Sequence, residues 1–414
     1  MKVAVVGAGI AGLAAARSLS GRHELHVFDA APRAGGHALT AEVEEGGRRF
    51  PVDMGFIVYN RRNYPGFCAL LDELGVETVE SSMGFSASDP ATGFEYSGEG
   101  LSALFARRRN LLDPRFWGIV AGAWRFYRAG TRELAAGRHR SLAAFAQESR
   151  LPQSFVDLYL RPMAGAIWSM PVEQVLDFPA ATLLTFFRQH GLLDLLDRPQ
   201  WRTVRGGSRT YVAALTARLD ATFHLGAPVR SIRRLDPGVE IAVAGETLRF
   251  DQVVLALHSD QALAALADPT PAEREVLGAI RYRASDVALH SDAALLPRRR
   301  RAWASWNVRL DGAESLGVTY LMNLLQPLPT ETPWCVTLNR TAAIDPARLC
   351  RQEEMAHPQF DAAAVAAQER WEEISGRRST HYGGAYWRYG FHEDGLWSGR
   401  RAAEAVAQTA ARAA

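Results

Sequence analysis

Three groups of residues have the types and spacing to do chemistry. The first is Gly7-Ala8-Gly9-Ile10-Ala11-Gly12, set between a strand-like run, Lys2 to Val6, and an alanine-rich helical run. Glycine at Gly7 permits a tight turn. At Gly9 it lets backbone N–H groups approach a pyrophosphate, and at Gly12 it lets the helix pack on the strand. The start of the helix then favours the phosphate charge. Asp29 closes the next strand, 22 residues after Gly7, where an acid accepts hydrogen bonds from ribose hydroxyls and repels a 2′-phosphate. The second group is "APRAGGHALT", residues 31–40. A glycine pair, Gly35-Gly36, just past the ribose acid is not needed by an NAD dehydrogenase. It suits a flavoprotein whose chain returns to cover the pyrophosphate of FAD. The third is "GAYWRYGFHEDGLWSG", residues 384–399. Metal site, acid/base cluster and backbone cradle are its three readings. His392, Glu393 and Asp394 are consecutive, so neither a helix nor a strand turns all three toward one ion. The stretch reads as a loop entering a last helix that opens after Ser398, with the N–H groups from about Gly395 to Gly399 as its unpaired donors.

The elements that must position these groups follow from apolar spacing. Residues 2–30 form a βαβ unit, the start of a dinucleotide-binding sheet. From about Leu101 to Leu196 the spacing is mostly helical, with breaks expected at Pro114, Pro152, Pro162, Pro171 and Pro179. "TVRGGSRTYVAALTARL" is a turn feeding a helix, and "VRSIRRL", "VEIAVAG", "TLRF" and "QVVLAL" alternate like strands. Tyr282 to Asn339 holds β-rich runs that suggest an antiparallel sheet. The fold class expected is α/β (α+β overall): a Rossmann-type domain assembled from residues 1–80, 200–270 and 376–414, with an inserted domain of mixed antiparallel sheet and helices from residues 81–199 and 271–375.

Composition narrows the class. The net charge of +2 gives no case for a nucleic-acid partner. Lys2 is the only lysine. Cys68, Cys335 and Cys350 lack metal-site spacing, so no metal is expected, and Cys335 and Cys350 read as buried thiols. No apolar run approaches the ~20 residues of a membrane span, and the first residues lack signal-peptide anatomy, so a cytoplasmic protein is expected. Leu101 to Arg132 carries seven arginines and one acid among aromatics. That pattern reads as solvated helix faces or as a peripheral contact with anionic lipid at the inner face of the membrane.

The sequence resembles the flavin amine oxidase, protoporphyrinogen oxidase and phytoene desaturase superfamily. The resemblance rests on GAGIAG, Asp29, the stretch from Arg33 to Thr40, D-M-G at Asp53 to Gly55, "RTVRGGSRTYVAAL", "APVRSI", "VVLALHSD" and the C-terminal stretch. More narrowly, "LRPMAGAIWSMP", "FPAATLLTFFRQHGLL" and "YGFHEDGLWSG" resemble a bacterial group of predicted NAD/FAD-binding amine-oxidase-like proteins, often found beside cyclopropane-fatty-acid-synthase-like enzymes. The resemblance implies non-covalent FAD. Gly7, Gly9, Ala11 and Gly12 would serve its pyrophosphate, and Asp29 its ribose. Arg33, Gly35, Gly36, His37 and Thr40 form the covering loop, with His37 where many relatives have arginine. Gly55, Phe56, Ile57 and Val58 would run along the flavin ring, Val229 would meet adenine, and Asp394, Gly395 and Leu396 the ribityl chain. Ala385 stands where some relatives attach flavin through cysteine. Amine oxidases of the superfamily usually place a lysine near the flavin. No lysine follows Lys2, and arginine stays protonated, so ordinary amine oxidation is disfavoured.

The function expected is therefore an FAD-dependent oxidoreductase that exchanges hydride with an apolar, fatty-acyl or other lipid-like substrate, as desaturase, reductase or isomerase. Oxygen, a quinone or another acceptor would take the electrons. Alternatives are a flavin amine oxidase or other small-molecule oxidase, and a non-catalytic binding protein like the Rab escort and GDP-dissociation-inhibitor proteins. His392 and His190 are the candidate proton carriers. Trp168 and Ser169 are candidate cavity residues.

Overall fold

The computed structural model describes residues 1–98, 100–138, 140–168, 173–190, 193, 199–310 and 317–413. Ser169 and Pro171 lie outside the described residues.

Strand Lys2–Val6 sits at the centre of a five-stranded parallel sheet. Glu24–Asp29 and Gln252–Leu255 flank it, and Thr222–Leu225 and Thr380–Tyr382 form the edges. Both faces of the sheet are covered, so its central strands are apolar throughout rather than alternating. Val3, Val5 and Val254 pack with Ala15, Ala16, Ala402 and Val406 of two helices. Ala4, Val6, Val253 and Leu255 pack with Val276, Leu277 and Trp371 on the other face. The two helices are Ile10–Leu19 and the last helix, His392–Ala413. They touch closely: a Cβ on Gly399 would collide with the Ala11 carbonyl. That contact brings the C-terminal stretch back to the N-terminal glycine turn. Beside this sheet, three of the expected strands, Val229–Arg234, Val239–Val243 and Glu246–Phe250, form an antiparallel meander.

A second, seven-stranded sheet runs in the order Leu349–Pro358, Tyr282–His290, Cys335–Leu338, Val318–Leu321, Trp306–Arg309, Phe85–Asp89 and Phe94–Ser97. Its pairings are antiparallel except that between Trp306–Arg309 and Phe85–Asp89. The sheet recruits strands on both flanks of the β-rich run seen in the sequence. Helices Pro114–Ala136, Leu142–Glu148, Arg161–Trp168 and Ala180–Gln189 share a core with it. In Pro114–Ala136 the Asp113 carboxylate accepts from the Arg115 N–H and Gly137 ends the helix at φ 60°, a start and stop that satisfy terminal backbone groups. Phe116, Ile119 and Phe126 face the core, and Phe126 meets Phe145, Phe155 and Phe187.

One expected break is absent. Pro114, Pro152 and Pro179 do stand at helix starts, but the helical path runs on through Pro162 by way of a π-turn at Val156–Leu160. Proline lacks the N–H that would bond the carbonyl four residues earlier. Here the Tyr96 hydroxyl donates to that carbonyl, on Leu158, at 2.8 Å, so the Leu158 acceptor keeps a partner as the path continues.

Candidate active site

A cavity of about 850 Å³ is lined from both sheets and from the helical layer. At one end lie Gly7, Gly9, Ala11, Asp29, Gly35 and Gly36. The glycines here differ in what requires them. Gly7 has φ +102°, and a Cβ there would strike the Ala256 carbonyl; a Cβ on Gly12 would strike the Gly7 carbonyl. The chain's own packing demands both. Gly9 has an ordinary φ of −73°, and the nearest atom to a Cβ there would be 3.9 Å away. Nothing in the chain needs glycine at that position, so the space beside it is free for a ligand. Asp29 accepts from Ala8 N–H at 2.7 Å and Ala31 N–H at 2.8 Å, and each carboxylate oxygen keeps a second lone pair.

Several expected contact residues are not on this wall. Gly12 lies under the turn. Arg33 donates to the carbonyls of Gly36, Ala38 and Ala34 at 2.9, 3.3 and 3.4 Å, so it braces the glycine loop. Thr40 donates to Asp53 at 2.6 Å. Val229 starts its strand near the Asp29 turn, where Ala227 N–H donates to the Asp29 carbonyl at 2.9 Å, but it does not line the cavity. Leu396 is buried in the core with Ile10, Tyr59 and Phe67. Asp53 is buried away from the wall and joins three segments. Ser208 donates through N–H at 2.9 Å and through its hydroxyl at 2.8 Å, and the Gln326 amide donates at 2.8 Å. Burial raises its pKa to about 6 against the pull of these bonds.

The His-Glu-Asp triplet divides into three tasks. The last helix begins at His392, earlier than the expected start after Ser398. Asp394 accepts from the Phe391 N–H at 2.9 Å and so closes the helix start. The Gly395 N–H already donates to the Phe391 carbonyl at 3.1 Å, so it is not the free donor expected, though Gly395 does line the cavity. Glu393 accepts from Gly66 and Phe67 N–H, both at 2.8 Å, capping the helix Pro65–Leu74. His392 reaches the wall. It stacks on Phe56 with ring centroids 3.7 Å apart, and its Nε2 is 2.7 Å from the Tyr211 hydroxyl. Burial, with His37 adding to it, lowers its pKa to about 3. Burial therefore favours the neutral imidazole here.

Much of the remaining lining is apolar. Met163, Ile167, Trp168, Phe186, Trp306, Tyr320, Met355, Phe360, Tyr389 and Phe391 belong to it, together with Gly55 to Val58. His190 stands here, stacked on Phe186 at 3.7 Å with its Nδ1 2.9 Å from the Phe186 carbonyl. That bond makes Nδ1 the donor and leaves the lone pair on Nε2. Burial lowers its pKa to about 4. Among the described wall residues Asp29 is the one carboxylate, and no lysine, arginine or cysteine is present. Cys68 and Cys335 are buried, but Cys350 is exposed, contrary to expectation.

The sequence does not single out three wall residues: His258, inside the VVLALHSD motif, and His357, which both approach His37, and Tyr282, stacked on His258 at 4.1 Å. His357 comes from the edge strand Leu349–Pro358.

The sequence profile of the family described as flavin containing amine oxidoreductase matches residues 10–291. The chain belongs to this family. AofH of Mycobacterium tuberculosis, named as a flavin-containing monoamine oxidase, is 31% identical over 282 residues, which span 64% of this chain and 59% of AofH. Solved structures share the fold at lower identity. A protein from Exiguobacterium sp. 255-15, described as a protoporphyrinogen oxidase, superposes with a TM-score of 0.71 at 15% identity, covering 99% of each chain. The fatty acid isomerase of P. acnes that produces CLA gives 0.69 at 18%, covering 98% of each. Putrescine oxidase gives 0.67 at 15%, covering 99% of each. The residues of this family member fit a flavin dinucleotide on two observations: the ligand space at Gly9, and a buried His37 Nε2 on the wall that has no partner among the described residues.

Proposed function

We propose that the protein is an FAD-dependent oxidoreductase acting on an uncharged, fatty-acyl or lipid-like substrate, with the flavin held non-covalently. The carrying observation is the largely apolar lining of the cavity, in which Asp29 is the one described carboxylate and no described lysine or arginine stands. Gly9 and Ala11 would face the pyrophosphate, Asp29 the ribose, and Gly55 to Val58 the ring. The flavin, when bound, supplies hydride exchange with a substrate carbon. The chain's own part is to exclude water with aromatic walls, to fix the acyl chain's approach, and to present the neutral Nε2 of His190. An ammonium group would meet no described wall carboxylate but Asp29, at the dinucleotide end, which disfavours the amine substrates suggested by AofH's name.

The test incubates the holoprotein anaerobically, oxidised or photoreduced, with neutral acyl esters, and separately with primary amines. The expected result is a change in the number or position of acyl double bonds, with amines untouched. Amine consumption with lipids unchanged would reverse the assignment.

We further propose that an anionic bilayer delivers this substrate. Of the seven large apolar side chains exposed among the described residues, five fall between Leu111 and Trp124, with Leu112 at 88% and Trp124 at 57% exposure. Trp117, Val120 and Trp124 share one face of their helix, Arg128 lies over Trp124, and Arg108 and Arg109 flank the ridge. Arginines near an anionic surface contribute about 1 kcal/mol each. No described helix is long and apolar enough to span a bilayer. Changing Arg107, Arg108 and Arg109 together to glutamine is therefore expected to lower flotation with anionic vesicles roughly 100-fold; equal flotation of variant and wild type would refute the surface.

A further inference from the structure

We infer that His37, His258 and His357 form a proton-coupled anion seat, taking up a proton when the pyrophosphate of the dinucleotide binds. The inference rests on the flavin reading above. Three distant segments bring these rings together. His37 follows Gly36, which packs against Gly9 in the phosphate cradle. His258 follows strand Gln252–Leu255, whose next residue, Ala256, abuts the Gly7 turn. His357 belongs to the seven-stranded sheet. The His37 ring centroid is 5.8 Å from that of His258 and 5.6 Å from that of His357, and all three rings line the cavity.

Two nitrogens in this cluster, His37 Nε2 and His357 Nδ1, are buried and have no partner among the described residues. His37 donates its other N–H to the Ala356 carbonyl, so in the neutral ring Nε2 carries a lone pair. A lone pair repels a phosphate oxygen; Nε2 becomes a donor only by accepting a proton. Arg33 does not serve instead, because its guanidinium is committed to backbone carbonyls. The other titratable or charged groups near the cluster are Arg33 on the glycine loop, Asp260 in the helix after His258, and Tyr282 over that ring. Arg351 and Glu353 lie behind Arg33, and His392 faces the cluster from the last helix. Neighbouring imidazolium charges repel, so one proton serves the cluster.

The sign follows from linkage. The rings are neutral without the anion, since burial lowers all three pKa values, His258 to about 4 and His357 to about 3. The complex holds one proton more. Affinity therefore rises as pH falls, from the pKa in the complex down to a free-state value below 6.5. The pyrophosphate diester has no proton that titrates in this range.

The full-length chain, freed of flavin, is titrated with FAD from about pH 6 to about pH 8.5, with calorimetry in buffers of different ionisation enthalpy. Kd is expected to fall as pH is lowered, by up to about tenfold per pH unit below the pKa in the complex, with up to one proton taken up. His37→Gln, a donor that does not titrate, is expected to bind FAD with a flat pH profile. Wild-type binding with a flat profile and no proton uptake overturns the inference and leaves the flavin reading standing. No FAD binding at any pH overturns both.

Discussion

Replacing Gly9 by valine is expected to weaken flavin binding roughly 10- to 100-fold while leaving the fold intact. Glycine-to-valine changes usually confound ligand loss with misfolding, and the neighbouring glycines show why. At Gly7 and Gly12 a Cβ would collide with backbone carbonyls, and Gly7 also sits at positive φ. At Gly9, φ and ψ are −73° and −177°, extended backbone open to any residue, and the nearest atom to a Cβ is the Gly36 Cα at 3.9 Å. The new side chain would occupy the space where a pyrophosphate meets the helix start. Overpacking costs about 1–3 kcal/mol, which corresponds to a rise in Kd for FAD of roughly 10- to 100-fold. Thermal unfolding of the flavin-free chains should agree within about 2 °C, because no contact is lost. A Kd for FAD equal to that of wild type would mean that the cradle lies elsewhere.

This contrast also explains what the sequence makes legible. Backbone constraints write themselves into residue identity, so Gly7, Gly12 and Asp29 are readable in the order they occupy. The seven-stranded sheet is legible only at its centre. Its edge strand, Leu349–Pro358, pairs on one side alone, and its polar residues face solvent, so it lacks the apolar alternation that marks a strand. His357 is hidden with it. His258 shows the same limit in another form: nothing near it in sequence says that His37 and His357 will be its neighbours, because register between distant strands decides that. The triplet at His392 to Asp394 looks catalytic because charges cluster in sequence. In a helix, consecutive residues point about 100° apart, so the three side chains go to Tyr211, to the helix Pro65–Leu74 and to their own helix start. Pro162 misleads similarly, since its compensating donor, Tyr96, lies more than 60 residues away.

Removing the Asp53 carboxylate should have the largest effect on stability. Asp53 is a joint between the strand Arg48–Asp53, the turn before helix Arg209–Thr216, and Gln326 beside the seven-stranded sheet. Asp53→Ala leaves the Ser208 N–H and hydroxyl, the Thr40 hydroxyl and the Gln326 amide without their acceptor in a buried site. Orphaned donors cost about 1–3 kcal/mol each, and relief from burying the charge offsets part of that. A net loss of about 3–5 kcal/mol is expected, read as a lower denaturation midpoint with unchanged slope; a midpoint equal to wild type would show that these bonds hold nothing together. Asp53→Asn isolates the charge. The folded pKa of about 6 lies above the unfolded value of about 3.9, so between these values the folded state binds more protons than the unfolded. Stability from this group is therefore fully present below about pH 4 and declines as pH rises through 6, by about 3 kcal/mol in total. Asparagine carries no such decline. The stability difference between wild type and Asp53→Asn should favour wild type most near pH 4 and narrow or reverse by pH 8. The comparison cancels the many exposed carboxylates common to both proteins. A difference independent of pH would mean that the five hydrogen bonds to Asp53 just offset its burial and leave its folded pKa at the unfolded value.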